Sequence, residues 1–402
     1  MQVELASRRR SLPRNIVALG TVSLLMGMSS TMILGLLPAF LVKVLGASAL
    51  WVGTIEGAAE STASLTKIFS GALSDWIGRR KPLVVAGYAL SSCVKLVFPL
   101  SYAVTDVLIA RIIDRIGKGV RDAPRDALLA DMTAREWRGA GFGLRHALFS
   151  IGAVLGPLAA IGLMMMSHDN FRLVYWIALI PAFASVVVLI RAVEDRPVND
   201  GMPRPRFRLR NMAQMPAAFW RIVAFAAVVS LARFSQAFLL LKAVSVGIDP
   251  AFVPLTLVLV NAVYSTSSYP LGIVADRIDR RLILIAGVIA LVLAELVMAF
   301  AATPAATAVG AALWGLQMGT LQSLFGTVIA DAVPEERRGT AFGIYDLAIG
   351  VVALLSSTMA GALWVIGGPL ATFGIGSLIA AAAAALLIAN WQSAASLSAA
   401  AP

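Results

Sequence analysis

The stretch GALSDWIGRRKPL (71–83) is a short charged island in an otherwise apolar chain. Asp75, Arg79, Arg80 and Lys81 surround Gly78, and the same skeleton returns at 272–284 as GIVADRIDRRLIL. Gly71, Asp75, Arg79 and Arg80 are answered there by Gly272, Asp276, Arg280 and Arg281. A second pair of segments repeats in the same order. LLADMTAREWRGAGFG (128–143) matches VIADAVPEERRGTAFG (328–343), aligning Asp131 with Asp331, Arg138 with Arg338 and Gly139 with Gly339. Two repeats in register mean two copies of one unit. The polar, basic connection EDRPVNDGMPRPRFRLRNMAQMP (194–216) joins them.

The composition says where such a chain resides. Of 402 residues, 59% are hydrophobic and 14% charged, against about 25% charged in soluble domains. The net charge of +11 comes from basic residues in short gaps between apolar runs, not from one face of a soluble domain, so nucleic acid is not the expected partner. Cys93 is the single cysteine, which excludes a disulfide framework and a thiolate cluster. The apolar run after Arg14 reaches about Gly46, longer than a cleavable signal core.

Twelve apolar stretches are long enough to cross a hydrocarbon layer about 30 Å thick as helices. They lie near 15–45, 48–74, 82–103, 105–131, 141–167 and 171–193, then 217–244, 251–275, 282–302, 305–332, 340–365 and 368–391. The expectation is an all-α integral membrane protein with two pseudo-symmetric six-helix halves, 15–193 and 217–392. The linker would be 194–216, with tails 1–14 and 393–402. Alternate connections hold twenty basic residues, whereas the opposite set holds only Lys43, Arg172 and Lys242. The positive-inside bias then puts both termini and the linker in the cytoplasm. Duplicated halves of this kind suit a transporter that rocks about a central site.

The chain resembles the major facilitator superfamily of transporters over essentially its whole length. GALSDWIGRRKPL matches that family's loop signature at Gly71, Asp75, Gly78, Arg79 and Arg80, and Arg115-Ile-Gly-Lys118-Gly119 is similar to its helix-four signature. Gly143, Gly152, Gly156 and Pro157 fit the spacing that marks antiporters and exporters, and imply tight helix packing. The resemblance also implies a gating latch made of Gly71, Asp75, Arg79, Arg80, Asp131 and Arg138, with Asp276, Arg280, Asp331 and Arg338 as the second copy. Physically, an Asp at a helix end can hold Arg side chains and helix-terminal dipoles across a junction. A narrower likeness rests on GTIEGAAES (53–61), DRIGKGVRDAPRDALLAD (114–131) and GPLAAI (156–161). It is to a bacterial branch near magnetosome transporters assigned to iron uptake.

Charges at membrane depth are costly and normally face a cavity or a partner. Glu56, Glu60 and Lys67 share one helical stripe. Arg111, Arg115, Lys118, Asp122 and Arg125 share another, flanked by Asp114 and Arg121. The candidate substrate set is Arg111, Asp114, Arg115, Lys118, Arg121, Lys67 and Lys95, whose basic excess suits an anionic or chelating substrate. Glu56, Glu60 and Asp346 are the candidate proton-coupling carboxylates. The structural alternatives are mutual neutralisation: Asp114 and Asp122 by neighbouring arginines, Lys95 by Glu56 or Glu60, and Asp346 by a nearby base. Arg233, Gln236, Asn261, Tyr264, Glu295, Gln317 and Gln322 form a thinner polar set in the second half. The methionines read as packing; His146 and His168 are far apart, so no metal is assigned.

Gly117-Lys118-Gly119 lacks the frame of a phosphate-binding loop, and no nucleophile constellation is visible, so neither a pump nor an enzyme is expected. The expectation is a monomeric, lipid-embedded secondary transporter without a cofactor, in a bacterial inner membrane. It would export a small anionic or amphiphilic organic compound in exchange for protons. The alternatives are transport of iron or an iron chelate across a cell or magnetosome membrane, and a transporter-like sensor or scaffold.

Overall fold

In the computed structural model the described residues, 14–77, 79–133, 138–194, 215–275, 278–334 and 337–389, are overwhelmingly helical and include no strand. Asp276, most of the linker, nearly all of the N-terminal tail and the whole C-terminal tail lie outside the described residues, as do the surroundings of Gly71 and the side chains of Asp75, Arg138, Arg280, Gln322 and Arg338. The first helices are α1 (Arg14–Lys43), α2 (Ala49–Ile77), α3 (Lys81–Val94), α4 (Val97–Leu100), α5 (Val104–Asp131), α6 (Arg138–Met166) and α7 (Phe171–Ala192). After the linker come α8 (Ala217–Ala232), α9 (Ala237–Ser245), α10 (Leu255–Ala275), α11 (Arg280–Phe300), α12 (Pro304–Asp331) and α13 (Arg338–Ala389). Seven helical segments among the described residues are long and apolar enough to cross a membrane.

Two expected single helices are interrupted, each at a polar residue. The stretch 82–103 breaks at Lys95, between α3 and α4. The stretch 217–244 breaks at Arg233–Gln236, between α8 and α9. Freed backbone groups need new partners in an apolar medium. At the second break Ser235 N–H donates to Ser357 Oγ (3.2 Å) on α13, and Ala237 N–H donates to Ser235 Oγ (3.2 Å). Conversely, the expected helices 340–365 and 368–391 run on as α13, with non-helical backbone at Gly367 and Gly368. Gly368 has φ 63° and ψ −158°, a region that only glycine enters without strain.

The helices before the linker pack as one group: α1 against α6 and α7, and α5 against α2 and α3. Those after it repeat the pattern, with α13 against α8 and α11, and α12 against α10 and α11. Two seams join the groups, α2 along α13 and α6 along α10. At the α2–α13 seam a Cβ on Gly57 would lie 2.9 Å from Leu354 Cα, and one on Gly361 would lie 2.7 Å from the Ala49 carbonyl. Such small-residue contacts let backbones approach where lipid gives no hydrophobic drive between helices. Among the family-signature residues, Gly152 and Gly156 sit against α1 in the same way, at Leu24 and at Thr31 and Met28. Gly143 meets nothing within 4 Å and borders a cavity instead. Pro157 is buried in α6.

Candidate functional site

A cavity of about 250 Å³ lies between the two helix groups. Glu56 and Glu60 of α2 and Arg115 of α5 enter it from one side. Arg233 and Gln236, at the break between α8 and α9, enter it from the other, with Ser357 of α13 and Trp314 of α12. The break is what makes this possible: where the helix stops, Arg233 can turn inward without a neighbouring turn in its way.

The two carboxylates, one turn apart on α2, have different surroundings. Glu56 is buried and gripped by Arg111, whose Nε donates to Oε1 (3.0 Å) and whose Nη2 donates to Oε1 and Oε2 (both 2.8 Å). Arg111 Nη1 also lies 3.6 Å from Asp114 Oδ2. This is a charge-assisted fork in which Arg111 serves two carboxylates. Glu60 has no hydrogen bond or ion pair among the described residues; its side chain is open to the cavity although it lies deep in the molecule. It interacts electrostatically with Lys118 most strongly, then with Arg115 and Arg111. Arg115 keeps its Nε without a hydrogen bond. Arg233 interacts electrostatically with Tyr345, Glu60 and Tyr264. So one carboxylate is saturated, and the other faces guanidinium groups from both helix groups.

A second cavity, about 1130 Å³, is lined by α1, α5, α6 and α10, with Tyr88 of α3. Its wall includes residues 118–126 of α5 and 143–153 of α6, so it lies toward the helix ends that carry the basic connections. At the opposite ends the groups are closed: a Cβ on Gly35 of α1 would lie 3.1 Å from Pro254, and one on Gly53 of α2 would lie 3.1 Å from Phe238 Cζ of α9. In the larger cavity Asp122 and Asp126 both hold Arg125, at 2.8 and 2.9 Å. Arg121 donates to Ser91 Oγ (2.7 Å) and lies over the Tyr88 ring. Arg145 Nη2 meets His146 Nε2 at 2.7 Å; arginine has only donors, so that nitrogen accepts.

Other sequence candidates fall elsewhere. Lys95 is fully buried at its helix break, donating to Ser29 Oγ (2.8 Å) and Ser30 Oγ (2.9 Å) beside Met26. Neither Glu56 nor Glu60 is its partner; the hydroxyls of α1 are. Lys67 and Asp346, expected in separate roles, form an ion pair at 2.8 Å across the α2–α13 seam. Of the latch residues, Arg80 Nε lies 3.0 Å from Asp131 Oδ2, tying the start of α3 to the end of α5; Arg79 is exposed. Asp331 closes α12. Glu295 and Gln317 are wholly buried in the second helix group. Arg233 and Gln236 are visible in the sequence only as polar residues in an apolar run, and Ser357 and Trp314 give no signal at all. Among the described residues no three His, Cys, Asp or Glu side chains group as a metal site.

Comparison with known proteins agrees with this architecture. The model of the Major Facilitator Superfamily matches residues 19–244 and 222–398. An uncharacterised MFS-type transporter of Methanocaldococcus jannaschii is 30% identical over 385 residues, 94% of this chain and 95% of the relative. An uncharacterised Mycobacterium tuberculosis protein is 27% identical over 81% of this chain and 80% of its own length. Among solved structures, a nucleoside transporter NupG mutant superimposes with a TM-score of 0.78 at 12% identity, covering 93% of this chain and 99% of that one; this likeness concerns the fold alone.

Proposed function

The chain belongs to the major facilitator superfamily, and from that premise we propose a secondary transporter that exports a small anionic or amphiphilic organic compound in exchange for protons. It is a membrane transporter; the direction, substrate and coupling are our reading. In this reading there are twelve spans: α1, α2, α3 with α4, α5, α6, α7, α8 with α9, α10, α11, α12, and α13 counted twice about Gly367–Gly368. The halves are 15–193 and 217–392, the basic linker and both termini are cytoplasmic, and the protein sits in a bacterial inner membrane.

The observation that carries the proposal is the central cavity, where Glu60 and Arg115 from one half face Arg233 from the other. An anion between Arg115 and Arg233 would touch both halves at once, so its binding free energy would depend on how the halves are arranged. A ligand moves a conformational equilibrium only through such differential contact. Glu60 is the coupling group because it is the cavity carboxylate without a fixed partner, whereas Glu56 is held by Arg111. An ionised Glu60 and an anion compete for the same guanidinium groups, so the occupancy of the one is linked to the protonation of the other. The iron and iron-chelate reading rests on sequence resemblance alone, and no structural observation favours it; the same holds for a sensor or scaffold.

The test is proton flux in proteoliposomes loaded with a pH dye and challenged with a panel of organic anions across an imposed pH gradient. At least one anion is expected to dissipate the gradient in a protein-dependent way. With that anion, Glu60→Gln should keep counterflow and lose proton-driven accumulation, and Arg233→Ala should lose both. A full gradient built by Glu60→Gln would move coupling elsewhere, with Asp114 and Asp346 next to be tested.

A further inference from the structure

We propose that the larger cavity is a binding site in its own right, for a small hydroxyl-bearing anion of the phosphorylated-polyol class. Its two walls differ in chemistry. On the wall built by α5 and α6, the cations Lys118, Arg121, Arg125 and Arg145 face the carboxylates Asp122 and Asp126. Both carboxylates are engaged by Arg125. Lys118 has no hydrogen bond or ion pair among the described residues, and the buried Arg121 and Arg145 turn their Nε toward the same two carboxylates, Asp122 at 3.9 Å and Asp126 at 3.6 Å, beyond hydrogen-bond reach. Lysine and arginine offer donors only, so four cations share two carboxylates on this wall, and what it lacks is a further acceptor carrying negative charge. A phosphate, with three oxygens for guanidinium and ammonium groups, supplies it.

The α10 wall is uncharged. Asn261 and Ser265 are one helical turn apart, both line the cavity, and neither side chain is engaged in a hydrogen bond among the described residues. Amide and hydroxyl groups both donate and accept, which is the complement of a hydroxylated carbon skeleton rather than of a second phosphate. At about 1130 Å³ this cavity is several times roomier than the central one, so a ligand can lie here without entering the other. Lys118 is also the strongest electrostatic neighbour of Glu60; an anion held by Lys118 therefore weakens the positive field at the central carboxylate. The site stands on its own walls and does not depend on the transport reading.

The test is calorimetric titration of the purified full-length protein with inorganic phosphate and with glycerol 3-phosphate. Glycerol 3-phosphate is expected to bind more tightly. Lys118→Met, which breaks no existing bond, should weaken both by roughly tenfold, the worth of one charge-assisted contact, and Lys118→Arg should restore most of it. The double variant Asn261→Ala, Ser265→Ala should remove the preference for the polyol while keeping phosphate. Repeating the titration with phosphatidylglycerol present identifies the source: competition assigns the phosphate to a lipid headgroup, and its absence to a soluble molecule. No binding of either probe, or unchanged affinity in Lys118→Met, would overturn the proposal. So would a loss of binding through Arg233→Ala alone, which places the anion in the central cavity.

Discussion

At the scale of single residues the useful contrast is between Glu56 and Glu60. They share a helix and a stripe, yet one is locked and the other is free. Cutting one partner out of a buried ion pair strands the other charge, at a cost of about 3–5 kcal/mol. Arg111→Ala should therefore lower the detergent melting temperature markedly, because it leaves both Glu56 and Asp114 without their shared cation. Glu60→Gln breaks no hydrogen bond, though it removes the anion that Lys118, Arg115 and Arg111 face, and should lower stability less than Arg111→Ala does. Equal losses in the two variants, measured by thermal unfolding, would show that Glu60 is held as firmly as Glu56. Lys95 teaches the same lesson in another form. A sequence places it among acidic residues, but only the rotation of α1 brings Ser29 and Ser30 to its ammonium group.

At the scale of elements, the breaks and the junctions do the positioning. The interruption at Arg233–Gln236 turns a span into two pieces and delivers Arg233 to the cavity, as discontinuous helices do at midplane sites of transporters. The Gly367–Gly368 turn separates the two parts of α13, and Gly368→Ala should cost about 1–3 kcal/mol because its φ is positive. A melting temperature unchanged by Gly368→Ala would mean that the backbone there is free to adopt another path. At the end of α5, the Arg80–Asp131 pair is partly exposed, so its stability contribution is small, about 0–1 kcal/mol. If it acts as a latch, Asp131→Asn should slow turnover of a transported anion several-fold while leaving stability and substrate affinity alone; normal turnover would sink that role.

At the scale of the whole molecule, the chain's architecture was legible because it is written in composition and repetition. The duplicated charged segments and the lopsided loop charges report membrane insertion without any knowledge of packing. The partners of individual charges were not legible. Glu56 with Arg111 and Lys67 with Asp346 depend on which helix faces which, and on the angle at which each is turned. Lys67 and Asp346 lie on either side of the linker, so no local pattern could join them. Both cavities are likewise products of assembly: each is lined by helices from both sides of the linker.

In the proposed transport cycle the two helix groups rock so that the central cavity, with Glu60, Arg115 and Arg233, opens alternately to either side. Spin-label distances test it most directly, in a Cys93→Ser background. One pair, Arg79→Cys with Ile278→Cys, reports the side of the basic connections. The other, Tyr102→Cys with Ile366→Cys, reports the opposite side. Two distance populations are expected in each pair, shifting reciprocally with pH and with any anion that drives proton flux: the first pair shortens as the second lengthens. A single population in both pairs, unmoved by pH and by every anion tested, would contradict it.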